Sequence, residues 1–435
     1  MRRRIAIVGS GISGALCARL LATKHEVVLL EADDTVGGHA HTVDVDAFGQ
    51  SWPVDTGFMV FNDRTYPNFV RMLELLGIES RNSDMSFSVH CQRTGLEYQG
   101  SSLNGLFAQR LNLLRPSFYR LLAGIFKFNR QIRSTLQSED GETTLEQWIA
   151  QSKAIDPDVF DKYLLPMTAA IWSAPPQALM RFPVSFLARF LENHGLLQIY
   201  DRPQWKTIVG GSRRYLAALL HPLGNSVRTN SPVTKVRRTD QGVELEISAV
   251  QSERFDAVVL ATHAPQSLGM LEAPSAAEQD ILSCFRYQSN DAVVHLDTTL
   301  LPTRRRAWAS WNYRLADDTS LPASVTYDLS HLQGHYTSTP ILQTLNPNQS
   351  IESTKVIRQL PFEHPLFDTQ AYAAQQRRDE LHEDGKIYYC GAYWRYGFHE
   401  DGVLSALDVC AHFDIDLEHL TRPCIAASTK VASNT

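Results

Sequence analysis

The chain has 435 residues, 43% hydrophobic and 20% charged, which is enough apolar material for a sizeable core and excludes a disordered or collagen-like chain. With 41 basic against 47 acidic residues the net charge is −6, and no global basic excess points to nucleic acid. At roughly 150 residues per domain the length predicts two or three domains, or one large enzyme unit, and no apolar run reaches the roughly 18 residues that a membrane-spanning helix needs.

Arg2, Arg3 and Arg4 ahead of an apolar stretch superficially resemble a secretory or twin-arginine signal. Gly9, Gly11, Gly14 and Arg19 interrupt that stretch, so it lacks the continuous apolar helix a signal requires. Instead, Ile5-Ala6-Ile7-Val8 predicts a buried parallel strand, followed by a glycine turn. Ala15, Leu16, Ala18, Leu20 and Leu21 carry a helical pattern, and Glu26–Leu30 predicts a second strand ending at Glu31. This β-α-β order is what a dinucleotide site needs. Gly9 permits the tight turn, Gly11 lets backbone approach a pyrophosphate, and Gly14 lets helix and strand pack closely. Ser13 sits where the helix N-terminus offers free N–H groups to phosphates, and Glu31, with Ala32 beside it, is placed to bind ribose hydroxyls. The alternative is a glycine turn in an ordinary β-α-β unit.

A second glycine pair, Gly37-Gly38, follows before His39. NAD does not need it; a longer flavin cofactor does, because its phosphates need more backbone cover. Here the chain resembles the flavin amine oxidase superfamily, which usually has Gly-Gly-Arg where this chain has His39, a side chain largely neutral at pH 7. A narrower resemblance rests on Asp55–Asn62, Tyr66-Pro67-Asn68, Asp84–Phe87, Ile171-Trp172-Ser173, Leu196-Leu197-Gln198, Arg202–Trp205, Cys390–Tyr393 and Tyr396–Gly402. These runs are similar to predicted NAD/FAD-binding proteins associated with cyclopropane fatty acyl synthases, and to the N-terminal half of plant cyclopropane fatty acid synthases.

The resemblance implies an α/β fold: a Rossmann-like FAD-binding domain with a discontinuous α+β substrate domain, amine oxidase-like. It assigns residues 1–80, 206–270 and 385–418 to the FAD-binding domain and 81–205 and 271–384 to the substrate domain, with 419–435 as a frayed tail. It implies noncovalent FAD, with further contacts at Gly57, Phe58, Val233 near adenine, Ala261, Thr262, Gly391, Gly402 and Val403. Residues 104–205 read as mostly helical, broken at Pro116, Pro166, Pro175-Pro176 and Pro183, and Ser212 reads as a helix N-cap. Gly402 is expected just ahead of a helix whose N-terminus faces the flavin.

Between the Cys390 strand and that helix, Tyr393, Tyr396 and His399 are the candidates to face substrate, with His399 as a proton carrier because imidazole titrates near neutrality. A structural role for His399 and Glu400, holding the loop, is the competing reading. Trp205 reads first as core. The six cysteines are scattered without a C-x-x-C pair, so neither a disulfide framework nor a metal site is expected, and reduced thiols fit a cytoplasmic protein.

From Tyr98 to Ser138 there is no Asp or Glu, while Arg110, Arg115, Arg120, Lys127, Arg130 and Arg133 alternate with large apolar residues. Such a segment either forms a core helix with a solvated basic edge or lies on an anionic membrane surface, which would make the protein peripheral to the membrane's inner face. The resemblance implies an oxidoreductase acting on a lipid or fatty acyl chain, with a cyclopropane fatty acyl synthase or other methyltransferase as partner. A noncatalytic flavin-bound partner of such an enzyme, or an oxidase of ordinary amines, are the alternatives.

Overall fold

The computed structural model describes residues 1–137, 141–152, 155–198, 202–248, 251–315, 324–382 and 384–424. Alternation along the first strand, Arg4–Val8, organises the structure. Ile5 and Ile7 enter one hydrophobic core, with the helix Ile12–Leu21, while Ala6 and Val8 enter another on the opposite face. Burial on both faces is what an all-parallel sheet demands. The sheet runs Val227–Arg228, Glu26–Leu30, Arg4–Val8, Ala257–Leu260 and Ile387–Tyr389, every neighbour parallel. An antiparallel meander, Val233–Thr239, Gly242–Ile247 and Gln251–Phe255, covers one face. The helices Ile12–Leu21, Arg213–Leu220 and His399–Ala411 cover the other.

A second, seven-stranded sheet is ordered Val356–Leu366, Arg286–His295, Leu342–Leu345, Ser324–Asp328, Trp311–Leu315, Phe87–Cys91, Leu96–Gln99. Only the Trp311 and Phe87 strands pair in parallel. The helices between Pro116 and Asn193 share its core.

Four local expectations need correction. Pro166 does not break its helix, because a π turn at Phe160–Leu164 precedes it and the Leu165 N–H donates to the carbonyl five residues back, at Phe160. The widened turn accommodates a residue that lacks an N–H. Ser212 holds the N-cap position but its hydroxyl does not cap; it donates to Asp55 at 2.8 Å, and the Ser212 N–H also goes to that carboxylate. Gly402 lies within the first turn of His399–Ala411 rather than ahead of it. Residues 419–424, expected as part of a frayed tail, are docked: buried Arg19 donates to the carbonyls of Leu420 (2.8 Å) and Arg422 (2.7 Å), and Leu420 is buried. The remainder of that tail, 425–435, lies outside the described residues, as does Ser138.

Candidate active site

The glycine turn is built by contacts only glycine allows. Gly9 has φ +97°, and its N–H donates to Leu30 at 2.9 Å. A Cβ on Gly14 would stand 1.9 Å from the Gly9 carbonyl oxygen, and one on Gly9 would stand 2.9 Å from that of Ala261. Ala261-Thr262 therefore backs the turn, and the Thr262 hydroxyl is hydrogen-bonded to Ser267. Gly11 is different: a Cβ there would meet no protein atom within 4 Å. Gly11 is also the N-cap of its helix, with no side chain filling the cap. An open hollow above uncapped helix N–H groups is a site for phosphate. Gly38, at φ +55°, borders the same hollow, with its missing Cβ 3.5 Å from the Gly11 Cα.

The residues expected beside a ribose cluster around Glu31. One carboxylate oxygen of Glu31 accepts from the Ser10 N–H at 2.9 Å and from the Ser10 hydroxyl, and the other accepts from Asp33 N–H at 3.1 Å. Gly37 N–H donates to the Ser10 hydroxyl at 2.9 Å, which joins the two glycine turns. Ala32 is exposed beside them, and Ser231 N–H, two residues before Val233, donates to the Glu31 carbonyl at 2.8 Å. Gly57 packs against the His39 backbone, 2.2 Å from its carbonyl oxygen if a Cβ were added. These residues fit a dinucleotide with its diphosphate over Gly11 and Gly38.

Tyr396–Gly402 joins the other end of the site to the scaffold residue by residue. The His399 Nε2 is 2.9 Å from the Tyr215 hydroxyl, and its ring stacks on Phe58 at 3.5 Å. Glu400 accepts from the N–H groups of Asn68 (3.1 Å) and Phe69 (2.9 Å) and from the Asn68 amide (2.7 Å), so it caps the helix Pro67–Leu75. Asp401 accepts from the Phe398 N–H at 2.9 Å at the start of its own helix. Burial pushes the Asp401 carboxyl up to about 7 against that hydrogen bond. Gly402 lets this helix cross the first: an added Cβ would lie 2.7 Å from Ile12 and 2.9 Å from the Ser13 hydroxyl. Val403 is fully buried behind it, and the Gly391 N–H donates to Ser405 in the same helix. Two helix N-termini thus converge on the groove, and Tyr66-Pro67-Asn68 and Tyr396–Gly402, far apart in sequence, form one contact.

A cavity of about 850 Å³ opens from this junction. His39, Gly57, Phe58 and His399 line one end, and Leu122, Ile125 and Phe126 line another part of its wall. Between them stand Met59, Met167, Trp172, Trp205, Trp311, Phe362 and Phe398. Among the described residues, Asp84 and Arg202 are the only lining side chains from the Asp, Glu, Lys and Arg classes. Burial lowers His364 to about 4 and holds His39 well below its ordinary value, so both are neutral. The His39 Nε2 is buried without a partner among the described residues.

The three substrate-facing candidates separate. Tyr396 lines the cavity, packed on Phe186 and Phe190. Tyr393 is not among the lining residues; it is buried under Gly391 between Phe285 and Trp394. His399 reaches the cavity wall, but burial drives its imidazole down to about 3, so it does not titrate near neutrality as expected. Replacing it with Asn should leave the pH profile of flavin reduction unchanged between about pH 5 and 9; loss of an acid limb in stopped-flow measurements would contradict this. Trp205, first read as core, lines the cavity. His364 and Phe362 had no sequence signal, since a strand of the second sheet brings them in.

A family model described as flavin containing amine oxidoreductase matches residues 12–310. The chain belongs to this family. FAD is the family's cofactor, and its members are oxidoreductases. Flavin-containing amine oxidase A of Canis lupus familiaris is 24% identical over 255 residues, 56% of this chain and 46% of that protein. The chain thus spans about half the length of the curated relative it matches. Among solved structures, cyclohexylamine oxidase from Brevibacterium oxydans is similar at TM-score 0.69 and 15% identity, covering 97% of this chain and 100% of that one. A CLA-producing fatty acid isomerase from P. acnes is similar at TM-score 0.67 and 15% identity, covering 94% and 98%. At these identities the structural likeness shows the fold, amine oxidase-like with mixed helix and sheet.

Proposed function

We propose that this protein is an FAD-dependent oxidoreductase that oxidises a lipid acyl chain. The observation that supports this most is the cavity, whose wall is mainly apolar and aromatic, with neutral polar side chains such as Asn129, Gln198, Gln204 and Gln343 interspersed. Each methylene of a hydrocarbon buried there contributes about 0.8 kcal/mol. A cationic amine, by contrast, must be desolvated, and the one carboxylate on the wall among the described residues already has its Oδ1 engaged. Asp84 accepts from Ser86 N–H at 2.8 Å and from the Ser310 hydroxyl at 3.1 Å. The resemblance to cyclopropane synthase-associated proteins further supports an acyl chain modified by a methyltransferase acting as partner.

Bound FAD supplies a two-electron acceptor for hydride from a substrate carbon. Gly11, Gly38 and the helix N-terminus would hold its diphosphate, and Glu31 would hold its ribose. Trp172, Phe362 and Phe398 exclude water and confine the chain. The neutral imidazole of His39, with Nε2 unpartnered, is available to hydrogen-bond a polar group at the flavin end.

Oxidation of an amine is the second reading, favoured by the amine oxidase relatives. Anaerobic mixing of the purified yellow protein with candidate donors separates them. Bleaching of the flavin absorbance by acyl phospholipid in detergent is expected. Bleaching by amines alone would establish the second reading. No bleaching by any donor, with a methyltransferase co-purifying, would instead identify a noncatalytic partner.

A further inference from the structure

The acid-free stretch supplies both a wall of the cavity and, among the described residues, the largest share of the exposed large apolar side chains. Leu103 is 76% exposed, Leu111 66%, Leu114 82% and Phe126 55%, with Leu113 and Tyr119 also exposed. Soluble proteins rarely cluster large apolar side chains on one exposed surface without a partner for it. Packing brings part of this set together in one groove. Leu113, Leu114, Pro116, Tyr119 and Ala123 line a single shallow groove, and the Tyr119 hydroxyl donates to the Leu113 carbonyl at 3.0 Å. On the helix Pro116–Arg133, Tyr119, Ala123 and Phe126 follow one another at helical spacing on the same face. The opposite face, Phe118, Leu121, Phe128 and Ile132, is buried in the core. The helix therefore has two apolar faces, and the protein's own core accounts for only one.

The charge on this surface narrows its occupant. Arg120, Lys127 and Arg130 are exposed beside the apolar strip and make no hydrogen bond or ion pair among the described residues. Arg133, by contrast, is paired with Glu192 at 2.9 Å. Free cations flanking exposed leucines and aromatics on a chain of net charge −6 complement an anionic, apolar interface.

We propose that residues 103–130 form a docking face for an anionic phospholipid bilayer, and that Phe126, exposed on this face and also on the cavity wall, marks where an acyl chain enters. Leu106, Leu122 and Ile125, from the same segment, continue the wall inward. The entry route rests on the acyl-chain reading of the cavity; the docking does not.

Sedimentation of the FAD-loaded protein with vesicles of phosphatidylcholine, with or without phosphatidylglycerol, tests the docking. Binding to the anionic vesicles at low salt, lost at high salt, is expected. The variant Leu111→Ser/Leu114→Ser, which alters no cavity residue, should weaken that binding by about tenfold or more with the melting temperature unchanged. Arg120→Gln/Lys127→Gln should weaken it to a similar extent and reduce its salt dependence. No binding by the native protein at low salt, or full binding by both variants, would overturn the proposal. So would a stoichiometric protein complex held through the same leucines. Vesicle binding without flavin bleaching by acyl lipid would retain the docking face and remove the acyl-chain reading.

Discussion

Gly11→Val is expected to give a folded, colourless protein. The backbone at Gly11, φ −58° and ψ 177°, suits any residue, and the added side chain enters open space rather than protein. As a helix N-cap the change costs the apoprotein about 1 kcal/mol. In the holoprotein the same side chain occupies the hollow over the helix N–H groups, where phosphate is to rest. A loss of at least about 100-fold in FAD affinity, about 2.7 kcal/mol, is expected. Flavin titration of the purified variant, with a melting curve of its flavin-free form, measures both effects. Near-native FAD affinity would remove the dinucleotide assignment. Gly14→Val is the contrast: its Cβ collides with the Gly9 carbonyl, so it should fail to fold at all.

The second large effect is electrostatic. Asp401 is pushed up to about 7 and Asp55 to about 6, in both cases mainly by burial. For Asp55 the hydrogen bonds from Thr42 and Ser212 oppose the shift without cancelling it. A carboxyl whose folded pKa exceeds its unfolded value stabilises the fold below the unfolded value, near 4, and that contribution is lost as pH rises through the folded value. Ionising Asp401 in the folded protein therefore costs on the order of 4 kcal/mol by pH 8, and Asp55 on the order of 3. Asp401→Asn keeps a carbonyl oxygen to accept from Phe398 and removes the ionisation. Its stability relative to the native chain should rise from pH 4 to pH 8 by several kcal/mol in urea titrations at fixed excess FAD. A flat difference between the two proteins over that range would show that Asp401 does not carry the charge cost.

The first β-α-β unit was legible because its determinants are local. Alternating burial in Ile5–Val8, the glycine spacing and Glu31 all act within a few residues of one another. The rest of the site is not written that way. The roles of Glu400 and Gly402 depend on partners at Asn68, Phe69, Ile12 and Ser13, more than 300 residues away in the chain. Tyr393 and Tyr396, three residues apart, look equivalent in sequence. A short turn at Ala392–Trp394 sends one ring into the core behind the parallel sheet and leaves the other on the cavity wall. His399 departs from its sequence reading as a group titrating near neutrality for a related reason. Its type gives an ordinary imidazole value, while its pKa is a property of surroundings supplied by Phe58 and Tyr215.

By itself, the sequence determined the dinucleotide turn, the parallel strands that carry it and the acid-free basic segment, because short-range periodicity, glycine stereochemistry and local charge fix each of them. Only the tertiary structure decided which side chains share the cavity, which histidines stay neutral, and that the exposed leucines lie on the segment that walls that cavity. Those properties are set by packing and desolvation between segments that no local pattern connects.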